Sequence, residues 1–148
     1  MITRLLPEQI SAFWPIIKYA VEEALPPMVG EHPDKMNRIL AAMLSGKLDV
    51  WASYKKPDNK FEGIGVTQVL YDEPTNTKSL LLYSIYTYEK TNPDSWVEAW
   101  EAIVKWAKAR GCKTIVAYSA NSYVVEKAKL FGGNADFTFI SFDISKFV

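Results

Sequence analysis

The chain has 148 residues and no formal net charge, with 49% hydrophobic and 14% aromatic residues. That content argues against disorder, and the charge balance against a nucleic-acid face or an electrostatic membrane anchor. No apolar run approaches membrane-spanning length, and the start Met1-Ile2-Thr3-Arg4 lacks a signal peptide's apolar core, so a cytoplasmic protein is expected.

Ile2–Leu6 is a short candidate strand. From Pro7 to Leu25, Ile10, Phe13, Trp14, Ile17, Val21 and Ala24 recur at helical spacing, with a kink or restart expected at Pro15. Pro26 to Pro33 reads as a loop. Met36, Ile39, Leu40, Met43 and Leu44 make a second amphipathic helix that Gly46 closes. Leu48 to Tyr54 alternates as a strand, Pro57-Asp58-Asn59 is a turn, and Phe61 to Tyr71 is the next strand. In that strand Gly63 and Gly65 mark a bulge or a close backbone approach.

The organising stretch runs from Lys78 to Ser119. Ser79–Tyr88 carries apolar residues on both parities, as a strand covered on both faces does. A polar loop, Glu89–Asp94, leads to a helix over Ser95–Arg110 with Val97, Trp100, Val104 and Ala107 as its apolar stripe, widened by Trp96, Ile103 and Trp106. Gly111 stops the helix, and Lys113–Tyr118 is a second buried strand. Strand, helix and strand in this order predict a right-handed crossover between parallel strands, with a ligand expected where the two strands end. Asn121 to Phe131 is a last helix, Gly132-Gly133 its stop, and Phe137 to Ile144 a final strand. The whole reads as one α/β (equally α+β) domain: a mixed, mostly antiparallel sheet flanked by helices.

Several side chains invite chemical readings. Glu89 is a candidate general base, set against a solvated carboxylate beside Lys90. Tyr86 and Tyr88 could line a ligand tunnel, or Tyr88 act as an acid; the plainer role is as core residues with hydrogen-bonded hydroxyls. Asn121 serves equally as a ligand group or as a helix N-cap. His32 stands alone in a Pro-flanked loop, so no metal site is expected. Cys112 reads as a small buried hydrophobe. Trp51, Trp96 and Trp106 either form a patch or cover the sheet.

The element order, and the run Ala109-Arg110-Gly111-Cys112-Lys113-Thr114-Ile115 followed by Asn121 and Gly132, resembles the GNAT superfamily of acyl-CoA N-acyltransferases. The resemblance implies acetyl-CoA as cofactor and an amine as acceptor, approaching past the loop Pro26–Pro33, with direct attack and no covalent enzyme intermediate. It implies that Tyr86, Tyr88, Asn92, Asp94, Ser95 and Asn121 would face the cofactor, with Glu89 and Tyr88 as catalytic groups. It also implies a dimer through the final strands. The family's diphosphate signature, Q/R-x-x-G-x-G/A, aligns with Thr91-Asn92-Pro93-Asp94-Ser95-Trp96, where Asp94 and Trp96 replace the glycines and Pro93 removes one N–H. The acidic Tyr expected four residues before Gly132 is Ala128 here, and the tail holds one strand rather than two. The reading is a GNAT-like protein with a degenerate diphosphate loop: an N-acetyltransferase, or a cofactor-free binding or structural relative such as a phage virion or assembly component.

Overall fold

The structure, a computed structural model, describes residues 1–27, 29–119 and 121–147. Strands β1 (Ile2–Arg4), β2 (Asp49–Lys55), β3 (Lys60–Asp72), β4 (Thr77–Thr87) and β5 (Cys112–Ala117) lie side by side in chain order. The first four pair antiparallel in succession, and β5 joins β4 in parallel, as the crossover predicts. Among the described residues no helix is long and apolar enough to cross a membrane.

The expected first helix is two: α1 (Pro7–Ala12) and α2 (Trp14–Glu23), with Phe13 closing one and opening the other. Pro15 falls in the first turn of α2, where its missing N–H costs nothing. With α3 (Lys35–Leu44) they cover one face of the sheet. Ile10, Ile17, Val21, Ile39 and Met43 pack there against Leu48, Val50, Ile64 and Val66. Gly46 takes φ +81° after α3, a conformation glycine adopts without steric cost.

The opposite face belongs to α4 (Pro93–Ala109), whose Ile103 and Ala107 pack with Trp51 and Leu80. The buried stripe is therefore narrower than the sequence pattern suggests. Val97 is largely exposed, and Trp100 stacks on Phe131 at 5.6 Å instead of entering the core. Trp51 and Trp106 meet edge to face at 5.8 Å, and the Trp51 Nε1–H donates to Thr67 Oγ1. Arg4 lies 4.2 Å from the Trp106 ring centre, so these indoles cover the sheet rather than form an open patch.

Three extra residues shape the sheet; one is Lys113 in β5, left over between the pairs Lys78–Cys112 and Ser79–Thr114. In β3, Tyr54 pairs with Phe61 and Ser53 with Gly63, which leaves Glu62 without an opposite number. In β4, Thr67 pairs with Leu82 and Val66 with Ser84, which leaves Tyr83 likewise. Such bulges bend a strand and re-aim its side chains.

The expected strand over Phe137–Ile144 does not form. After α5 (Ser122–Leu130) the chain runs without regular structure to a single 3-10 turn at Ile144–Lys146. Phe137, Ile140, Phe142 and Ile144 are exposed. The apolar residues change parity between Phe139 and Ile140, so no one face collects them, and a strand without a partner edge is not stable by itself.

Candidate functional site

β4 and β5 pair from Lys78–Cys112 to Leu82–Ala117 and then part. The parting begins one residue before the bulge at Tyr83, while β4 continues to Thr87 paired with β3 alone. The sheet is thus open between the ends of β4 and β5, and the loop from Tyr88 to Asn92 and the start of α4 border that opening. This is the location the sequence pattern indicates for a ligand.

The start of α4 is internally satisfied. Asn92 is the N-cap, and its Oδ1 accepts the Asp94 N–H at 2.8 Å. Its carbonyl accepts the N–H groups of Ser95 at 3.0 Å and Trp96 at 3.3 Å. Pro93 has no N–H to offer. The helix begins two residues earlier than the apolar pattern indicates, because Asn92-Pro93 is a good N-cap and first-turn pair. No free amide of residues 93–96 therefore points outward, and the Asp94 carboxylate occupies the positive end of the helix.

Beneath this terminus lies Glu62, which the sequence reading did not single out. Its side chain is buried, and its carboxylate accepts from Ser95 Oγ at 3.3 Å and from Ser53 Oγ at 3.4 Å. The bulge makes Glu62 the unpaired residue of β3 and breaks the alternation that would otherwise place it. The available signal was a carboxylate next to Gly63 inside an otherwise apolar run.

Tyr86 and Tyr88 share the face covered by α2. Their ring centres are 5.1 Å apart, edge to face, and Tyr86 meets Tyr19 of α2 in the same way at 5.7 Å. The Tyr88 hydroxyl donates to the carbonyl of Ile16. Burial, with Tyr86 and Tyr19 adding to it, pushes the Tyr88 phenol up to about 12. The Tyr86 phenol is raised chiefly by the hydroxyl of Tyr19 against it, then by burial and by the negative charges of Tyr19 and Glu23.

Glu89 is exposed and pairs with Lys55 at 3.6 Å, so its cation partner is Lys55 rather than Lys90. Asn121 caps α5, its Oδ1 accepting from Tyr123 at 2.9 Å and Val124 at 3.4 Å. Trp96 and Tyr123 lie 6.1 Å apart, so the first turns of α4 and α5 adjoin. Tyr86 packs with Tyr88, and Asn92 joins Asp94 and Ser95 at the start of α4; Glu89 is in contact with Lys55. His32 accepts the Asp34 N–H in its loop, and among the described residues no group of three or more acidic, His or Cys side chains could hold a metal. In the loop proposed for an acceptor, Met28 lies outside the described residues.

No family model matches the sequence, and no curated protein matches it at a significant level. Solved structures do match in fold. An acetyltransferase of Clostridium acetobutylicum, described as predicted and solved with acetyl-CoA, superposes with a TM-score of 0.73 at 14% identity, over 99% of this chain and 97% of its own. An aminoglycoside acetyltransferase from an uncultured soil sample, in complex with sisomicin, gives 0.71 at 16% identity over 97% and 93%. A ribosomal-protein-alanine N-acetyltransferase of Brucella melitensis gives 0.64 at 13% identity over 97% and 99%. At these identities the likeness establishes the GNAT-like fold and leaves the chemistry to the site.

Proposed function

We propose that this chain keeps the acyltransferase scaffold without its diphosphate cradle, and works as a GNAT-fold binding protein rather than as an acyl-CoA-dependent enzyme. The observation that carries this reading is the closed start of α4. A diphosphate needs free amides and positive potential at a helix N-terminus. Here Asn92 takes the amides of Asp94 and Ser95, and Asp94 supplies a negative charge of its own. Two unit charges about 4 Å apart cost about 1 kcal/mol even in water-like surroundings, and more when shielded. The residues present do not fit acetyl-CoA gripped in the usual way.

The test is a thermal melt with acetyl-CoA at millimolar concentration, and no shift is expected. A dissociation constant of about 10 µM would stabilise by about 2.7 kcal/mol at hundredfold excess, a shift of several degrees. A shift of that size overturns the reading.

A second reading, an N-acetyltransferase that grips acetyl-CoA without the usual cradle, draws on one observation. Ser84 Oγ is buried without a hydrogen-bond partner, two residues past the last β4–β5 pair. Such a group on the open part of β4 suits a ligand that brings an acceptor atom. Thiol release from acetyl-CoA across a panel of primary amines tests it; silence across the panel removes it.

A further inference from the structure

We propose that copies of this chain associate head to tail, the exposed stripe of α2 on one copy seating against the outer side of α4 on the next. The proposal does not depend on whether acetyl-CoA binds.

The receiving surface is a recess of about 340 Å³ lined by Trp100, Glu101, Val104, Lys105 and Lys108 of α4. Trp100, Val104 and Lys108 recur every four residues, so they form one row along the helix. Phe131 stacks on Trp100 at 5.6 Å, which holds the indole as a fixed apolar wall. Lys105 and Lys108 are exposed, and among the described residues neither has an ion-pair partner.

The chain carries the matching surface itself. In α2, Ile16, Tyr19 and Glu23 follow one another by three and four residues and share one side of the helix. Ile16 is 40% and Tyr19 51% exposed. Glu23 is exposed too, and among the described residues it has no ion-pair partner, whereas Glu22 beside it pairs with Lys18 at 3.9 Å. Apolar groups and an unpaired carboxylate on α2 thus complement an apolar recess and unpaired ammonium groups on α4. The minor charges also correspond: Glu101 lies in the basic recess, and Lys18 lies on the acidic helix. Tyr and Trp are the side chains that most often anchor such contacts. The two helices cover opposite faces of the sheet, so two copies cannot make both contacts with each other at once. Each pairing leaves one surface free at either end, and the assembly grows beyond two copies.

Sedimentation of the full chain, without acetyl-CoA, from about 10 µM to about 1 mM tests this, a range suited to a small and partly polar contact. Expected is a mass that rises with concentration and passes that of two copies. Amide signals of Ile16, Tyr19 and Glu23, and of Trp100, Val104 and Lys108, should shift over the same range. Glu23→Lys and Lys108→Glu each bring like charges together and should weaken association about tenfold. Mixing the two variants in equal amounts should restore it, because each charge then meets its opposite. Phe137→Ser with Phe142→Ser should leave it unchanged. A parent chain that stays single throughout, a mass that stops at two copies, or association lost with the tail changes would overturn the proposal. So would variants that associate like the parent, or a mixture no better than its parts. Unchanged amide spectra of the dilute variants show that the fold is kept. Because acetyl-CoA is absent throughout, failure here leaves the cofactor reading untouched, and a melting shift with acetyl-CoA leaves this contact untouched.

Discussion

Ser95 Oγ donates to Oε2 of Glu62 across 3.3 Å, joining the first turn of α4 to a carboxylate that is only 3% exposed. A buried carboxylate depends on the few donors it has. Ser53 is its other side-chain donor among the described residues, at 3.4 Å. Ser95→Ala should therefore destabilise the fold by about 1–3 kcal/mol, measured by urea unfolding. A midpoint equal to that of the parent chain would mean that the contact contributes nothing in solution.

Tyr88 links stability to alkaline pH. Its phenol sits at about 12 in the folded chain, against an ordinary value of 10.0. The folded state therefore holds this proton more tightly than the unfolded state does. The associated stability is fully present below pH 10 and is lost as pH rises from 10 towards 12. Tyr88→Phe should flatten that part of the stability curve. It should also cost about 1 kcal/mol at neutral pH through the lost hydrogen bond to Ile16. Absorbance at the tyrosinate band, followed alongside unfolding, separates the two effects; a parent curve no steeper than the variant's would contradict the assignment.

Gly63 is held by close contact. A Cβ placed there would lie 2.8 Å from the carbonyl oxygen of Tyr86 on the neighbouring strand, and backbone cannot swing aside as a side chain can. Gly63→Ala should cost about 1–3 kcal/mol and loosen the β3–β4 pairing beside the opening. Faster amide exchange at Tyr86 and Tyr88 than at Leu80 and Leu81 would locate the damage; uniform exchange would argue against it.

The tail offers the reverse case. Phe137 is 83% exposed and Phe142 71% exposed. Phe137→Ser with Phe142→Ser should shift monomer stability by no more than about 0.5 kcal/mol per site. If copies of this chain associate through the tail, as the resemblance implies, the same pair of changes should lower the mass seen by light scattering. A monomeric parent chain would dispose of that association.

The helices and the central strands were legible because their apolar residues repeat at the periods those structures require. The parallel β4–β5 pair followed from a strand, a helix of crossover length and a glycine stop. Asn121 as an N-cap was legible too, since Asx side chains seek such amides. Gly63 marked a bulge or a close approach, and both are found there, but that Glu62 is the residue left over, and that a second bulge falls at Tyr83, was not legible, because a single strand's sequence does not announce its partner's register. The missing final strand has the same origin. Phe137-Thr138-Phe139 has the composition of a strand, but composition supplies no edge to pair with.

The unmatched residue at Tyr83 bears on how such a chain can diverge. It lies immediately past the last β4–β5 pair, Leu82–Ala117, so the opening there is set by where backbone pairing ends. Side chains along its rim can therefore be replaced without closing the space between the two strands.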